Sequence, residues 1–351
     1  DEPTWEGLAK GVLVLGVLWW SWVGYSWLTS VVDPEEGAVR IAIFAAMAAM
    51  LVAALSVPEA FGDAGLIFAI AYGSVRIGHI ALFMLASSHD EQLRRSVVGL
   101  AGSTAVSVGL LVGASFADGL TQGGLWTLAL ALDMAGPAFF GVAGWRLSAH
   151  HFTERHGLIM IIALGESIVA IGVGVEGIEE LGPGIVTAAV VGTAIAAALW
   201  WLYFDVVALV AERRLAEAQP GREQNAMARD SYSFLHFPMV AGIVLVALGM
   251  KKTIGHVEDP LKLIPAVALY GGAATYLLAH VAFRYRHIHS INTRRLAMAV
   301  LLVALIAVGV EIPALASATI VAVVLIVLIV IETRSYGDSR ARIRNELRAG
   351  G

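Results

Sequence analysis

Cysteine is absent from the 351 residues, which excludes disulfides, thiolate nucleophiles and thiolate metal sites. Charge is scarce too. Asp, Glu, Lys and Arg make up 15% of the chain against 58% hydrophobic residues, and the mean hydropathy is +0.78, far too apolar for an ordinary water-facing surface. No phosphate-binding loop, nucleophile elbow or dinucleotide fingerprint occurs, since GVGVEG has too few glycines at the right spacing. The chain opens at Asp1 without a basic stretch ahead of a short apolar run, so no signal peptide is read. No segment has the composition of a separate soluble domain or a nucleic-acid-binding surface. No cofactor is expected, and the question of a metal is left open.

What the chain does contain is apolar runs of membrane-spanning length, bounded by Pro, Gly or charge. About eleven are read, near residues 6–29, 38–57, 63–86, 95–117, 124–146, 157–176, 183–210, 232–250, 262–283, 295–311 and 313–332. The expectation is an all-α polytopic integral membrane protein forming one transmembrane domain over residues 1–351. Only Glu311, Ile312 and Pro313 separate the last two runs, so a tight hairpin is expected there. The loop from Glu212 to Asp230 reads as an interfacial helix and a linker; residues 336–351 read as a basic cytoplasmic tail, either on anionic lipid or disordered.

Arginines in short loops set orientation. Arg94 and Arg95, Arg146 and Arg155, Arg213, Arg214, Arg222 and Arg229, Arg284, Arg286, Arg294 and Arg295, and Arg334 to Arg348 all fall on one side, expected to be cytoplasmic together with the C-terminus. Lys251, Lys252 and the acidic VVDPEEG loop fit less well. The scheme leaves the first residue outside, which a further helix ahead of Trp5 would correct. VLWWSWVGYS resembles ALWWLYFDVV, and Tyr72-Gly73 matches Tyr270-Gly271. A parallel six-plus-six repeat with its first helix absent would give halves of residues 1–148 and 149–335; chance is the competing explanation.

Ionisable residues inside the runs are few, and each is a functional hypothesis by default. Glu166 lies in the middle of HFTERHGLIMIIALGESIVAIGVG. On a helix, Ala163, Glu166, Ser167, Ala170 and Gly174 share a small and polar stripe, while Ile161, Leu164, Ile168 and Ile171 form a bulky face suited to lipid. Glu166 is therefore expected to point into protein. Arg76 and His79 share a face of the third run with Ala69, Tyr72 and Phe83, and Arg76 needs a buried acid: Glu166, Asp133 or Asp205. Pro137 follows Asp133 by four residues, taking the usual helical donor from its carbonyl.

The functional reading is a transport path through Glu166, Asp205, Asp133, Arg76, His79 and His236 for a cation or a small solute coupled to protons. A buried ion-pair network that only fixes helix register is the structural alternative. An intramembrane enzyme acting on lipid, with Glu166 as general base, and a stress or assembly protein without transport are the other functional readings. No residue is assigned as catalytic. Expected partners are membrane lipids and a small ion or solute, no nucleic acid, with a homo-oligomer left open. His150, His151, Glu154 and His156 could chelate a metal on a helix but read better as a solvated helix entry. Trp19, Trp20, Trp22, Trp27, Trp200 and Trp201 read as anchors and packing rather than a ligand box. Gly109 and Gly113 read as close helix packing within the chain.

The segments HFTERHGLIMIIALGESIVAIGVG, ALWWLYFD and SFLHFPMVAGIVLVALGM, together with WWSWVGYS, VPEAFGD and AYGSVRIGH, resemble the bacterial low temperature requirement A family over nearly the whole chain. The resemblance implies a multi-pass protein of the bacterial inner membrane, named for a cold-growth phenotype, and carries no reaction with it. Members usually begin with a further helix bearing an acidic ELFFDLVFVFA-like motif, which nothing here matches and which resembles ERHGLIMIIALGE.

Overall fold

A computed structural model describes residues 3–139, 144–175 and 181–349, with only the backbone at 138 and 336–349. Among the described residues all regular structure is helical, apart from one isolated antiparallel bridge between Pro260 and Pro313. Nine helical stretches among the described residues are long and apolar enough to cross a membrane: Trp5–Leu28, Gly37–Glu59, Gly65–Ala86, Glu91–Ala114, Ala149–Gly174, Pro183–Glu217, Arg222–Gly255, Leu263–Ile288 and Ala314–Ser335. Two further expected runs are also helical, Gly119–Phe139, diluted by Gln122 and Asp133, and the 17-residue Thr293–Gly309. The protein is an all-α, multi-pass membrane protein. Its outer surface agrees, since Ile41, Phe44, Leu55, Ile77 and Leu85 are all exposed on a chain that could not afford such a surface in water.

The chain divides into two compact units, residues 1–152 with 217–229, and residues 153–216 with 230–351. The first unit holds α1 (Trp5–Leu28), α2 (Gly37–Ser56), α3 (Gly65–Ala86), α4 (Glu91–Ala114) and α5 (Gly119–Phe139). Side-chain caps start two of them: Thr4 accepts from the Gly7 amide at 2.9 Å, and Asp90 from the Leu93 amide at 3.0 Å, each satisfying a donor that the first helical turn leaves open. Helix α3 packs on α1, α2 and α4, and α5 on α1 and α4. Their apolar core is built around Phe68, Tyr72, Leu111 and Trp126, with Phe61 stacked on Trp126 at 4.5 Å.

α6 (Ala149–Gly174) carries the chain from the first unit into the second, and α7 (Pro183–Phe204) follows. The run expected to continue to residue 210 breaks at Asp205 and Val206. A separate amphipathic helix, α8 (Val207–Glu217), begins there, followed by α9 (Arg222–Ala228) and a π-helical turn, Arg229–Phe234. The second unit continues with α10 (His236–Gly255), the short α11 (Leu263–Ala266), a second π turn (Val267–Gly271), α12 (Gly272–Ile288), α13 (Thr293–Gly309) and α14 (Ala314–Ala349). The helical backbone of α14 runs on through the basic tail.

Gly242 of α10 faces Gly272 of α12 so closely that a Cβ on Gly242 would lie 2.7 Å from the Gly272 carbonyl oxygen. Small residues allow that approach. Gly109 and Gly113 do not serve this way: a Cβ on either meets nothing within 4 Å, because α4 turns that stripe away from its neighbours. The expected hairpin between α13 and α14 is present, and the Ala314 and Leu315 amides donate to the Asp259 and Val257 carbonyls at 2.8 and 3.1 Å. An extended strand-like segment thus satisfies the start of α14, where Pro313 has no donor of its own.

Candidate functional site

In the first unit, α3, α4 and α5 converge on a buried charge. Arg76 and Asp133 are each about 1% exposed, and Arg76 Nη2 donates to Asp133 Oδ1 at 2.8 Å. Thr104 accepts from the same nitrogen at 2.8 Å and donates to the same oxygen at 3.0 Å. Tyr72 OH donates to Asp133 Oδ2 at 2.8 Å. Both carboxylate oxygens are therefore engaged, as a charge at this depth requires. His79 Nδ1 lies 3.4 Å from Arg76 Nη1. Room for both side chains comes from α1, where a Cβ on Gly24 would stand 2.8 Å from Arg76 Nη1 and 2.9 Å from the His79 ring.

Of the expected path residues, the structure brings Arg76, His79 and Asp133 together. The other three belong to the second unit and sit apart in kind. Asp205 is half-buried at the break between α7 and α8. His236 is fully buried: its Nδ1 lies 3.0 Å from the Ser231 carbonyl and its Nε2 2.9 Å from Tyr203 OH. A carbonyl only accepts, so Nδ1 carries the proton and Nε2 accepts from the tyrosine. Glu166 does not point into protein. It is exposed, and the buried ridge of α6 is instead Met160, Leu164, Ser167 and Ile171, spaced four, three and four residues apart. The small-residue stripe misled because the glycine that matters is on the partner helix: Ile171 packs against Gly192 of α7.

A second buried charge network escaped the sequence. Arg295, read as a loop cation, stands in the first turn of α13 and is 5% exposed, beside Glu332 of α14 at 3%. Arg295 Nε and Nη2 donate to Glu332 Oε1 and Oε2, both at 2.9 Å. Asn292 Nδ2 donates to Oε1 at 2.8 Å, Arg295 Nη1 to His280 Nδ1 at 2.7 Å, and Arg295 Nη2 to the Leu202 carbonyl at 3.2 Å. The available signal was the acid at position 332, which ends an uncharged stretch of eighteen residues at the start of α14. Of the aromatic candidates, Trp19, Trp20 and Trp27 are buried packing residues, while Trp200 and Trp201 are 44% and 40% exposed. Among the described residues no group of three or more His, Cys, Asp or Glu is placed to hold a metal.

Residues 1–330 match the model of the bacterial low temperature requirement A protein family, LtrA. The chain belongs to the LtrA family. This LtrA protein is 27% identical over 309 residues to an uncharacterized protein of Rhizobium meliloti (strain 1021), covering 81% of this chain and 73% of that one. No solved structure matches it. The membership fits a bacterial membrane, and the helices make the LtrA protein multi-pass.

Proposed function

We propose that this LtrA-family protein is a membrane transport protein moving a cation or a small solute, coupled to protons, in the bacterial cytoplasmic membrane with its C-terminus on the cytoplasmic side. The observation that supports it is the Arg76–Asp133 pair within α3 and α5, whose carboxylate is also held by Tyr72 and Thr104. A proton or a cation arriving at Asp133 must displace one of these donors. Arg76 then has a ready alternative acceptor in His79 Nδ1, 3.4 Å from Nη1, so the pair can exchange partners without leaving a bare charge in a medium that penalises one. Such an exchange is what a carrier needs between two access states. Asp205 and His236 enter this reading as further stations of the path. The basic residues gathered at the ends of the helices support the orientation.

The test is flux into sealed liposomes holding the purified full chain, following internal pH and potassium-driven membrane potential with and without gradients. Protein-dependent flux is expected, falling to background in Asp133→Asn. Tyr72→Phe and Thr104→Val keep the ion pair and are expected to slow flux while preserving the fold. Unaltered flux in all three folded variants would overturn the reading.

A further inference from the structure

The second unit contains a cavity of about 430 Å³, bounded by α8, the last turns of α12, the first turn of α13 and the end of the apolar stretch of α14. Its volume lies in the range of small-ligand sites. One wall is apolar, formed by Val206 in the break before α8 and by Val207 and Val210 of α8. The polar lining brings three guanidiniums together, those of Arg214, Arg284 and Arg295, beside the carboxylate of Glu332, which forms a bidentate pair with Arg295. Guanidiniums from three different helices around one space suit an acceptor with several oxygens.

The histidines of the cavity point the same way. His280 is 1% exposed, and its Nδ1 stands 2.7 Å from Arg295 Nη1. Arginine can only donate, so Nδ1 must be the acceptor and the ring proton must sit on Nε2. That Nε2–H is a buried donor with no hydrogen-bond partner among the described residues. His287, 7% exposed, also lines the cavity, and neither of its ring nitrogens has a hydrogen-bond partner among the described residues. Buried polar atoms left open cost stability, and those of a native site are explained by what binds there. A donor on His280 and cationic side chains around it call for an anion.

The location narrows the class. Arg284 and His287 lie in the last turns of the Leu263–Ile288 span, and Glu332 lies close to the end of the Ala314–Ser335 span. The cavity is therefore at headgroup depth, capped by α8, whose Arg214 enters it from a helix with an apolar face. We propose that this cavity binds a phosphate group, held by Arg214 and Arg284 with His280 Nε2–H and His287, and with the valines of α8 against whatever apolar part the phosphate carries. The source is either the phosphodiester of an anionic lipid headgroup or a free phosphate. The site is independent of any transport activity.

The test uses the full chain purified in non-ionic detergent, with thermal unfolding and native mass spectrometry read during titration with phosphatidylglycerol, phosphatidylethanolamine and inorganic phosphate. Saturable stabilisation by phosphatidylglycerol alone identifies a lipid headgroup, and stabilisation by inorganic phosphate identifies the free anion; either supports the proposal. Arg284→Gln, Arg214→Gln and His287→Gln are each expected to weaken the apparent affinity on the order of tenfold. Arg95→Gln, exposed on α4 in the first unit, is the control and should bind as the natural chain does. No saturable response to either anionic probe overturns the proposal. So does equal binding of phosphatidylethanolamine, or unchanged affinity in folded Arg284→Gln and His287→Gln.

Discussion

Arg295 and Glu332, 37 residues apart in sequence, meet through two parallel hydrogen bonds of 2.9 Å between helices α13 and α14. The bidentate fork uses the planar match between guanidinium and carboxylate, and Asn292 and His280 fill the remaining positions. Removing one partner strands the other charge in a buried site, which costs far more than the pair contributes. Glu332→Gln is expected to lower stability by about 3–5 kcal/mol, read as a fall in the thermal midpoint of the purified protein in detergent. Arg295→Met with Glu332→Leu should recover part of that loss. A double variant as unstable as the single one would show that the pair's neighbours, rather than the uncompensated charge, set the cost.

The close approach at Gly24 gives a second prediction. A Cβ there would meet both Arg76 and His79 at under 3.0 Å, and the Arg76 guanidinium is tied to Asp133 and Thr104. Gly24→Val is expected to destabilise by about 1–3 kcal/mol through overpacking. Gly102→Val, with open space around its added Cβ, should cost less in the same melt. Equal effects would mean that helix propensity, not the contact with Arg76, dominates at both glycines.

The fold was legible where the physics is local or one-dimensional. Spanning helices announce themselves because the hydrocarbon core demands about twenty apolar residues in a row, and each of the eleven expected runs contains a helix. The Arg76–Asp133 pair could be read as one of three options, since a buried arginine needs an acid and few acids lie inside the runs. Arg295 was hidden by its neighbours: beside Arg294 and at a helix start, it looked like any other orientation-setting loop charge. Glu166 was misjudged for a different reason. Small residues mark a packed face only when the opposing helix is bulky, and at Ile171 and Gly192 the roles are reversed. The cavity in the second unit was invisible, because it is bounded by segments more than a hundred residues apart whose approach no periodicity encodes.

His236 offers a test of a neutral buried bond. Its Nδ1 proton goes to the Ser231 carbonyl, leaving Nε2 to accept from Tyr203 OH at 2.9 Å. Tyr203→Phe keeps the ring but leaves a buried acceptor unsatisfied, an expected loss of about 1–3 kcal/mol. Tyr285→Phe, at a residue of α12 that is 53% exposed, should leave the melt unchanged. If Tyr203→Phe is also neutral, the hydrogen bond contributes nothing net, and His236 is held by the rings of Tyr232, stacked on it at 4.9 Å, and Phe283, edge-on at 5.2 Å.

Glu166 and Asp133 are both acids within spanning helices, yet the structure gives them opposite surroundings: one is exposed on α6, the other is enclosed by Arg76, Tyr72 and Thr104. Their amides should therefore behave differently. Asp133→Asn removes the counter-charge of a buried arginine and is expected to destabilise by about 3–5 kcal/mol. Glu166→Gln changes an exposed group and is expected to stay within about 0.5 kcal/mol of the natural chain. Thermal melts of the two variants in one detergent give the comparison, and a large loss in Glu166→Gln would reverse the assignment of the α6 faces. Flux through the same samples adds what the melts cannot. A stable Glu166→Gln that loses transport would make this carboxylate a functional group on an exposed helix face, since no loss of packing could then account for the lost activity.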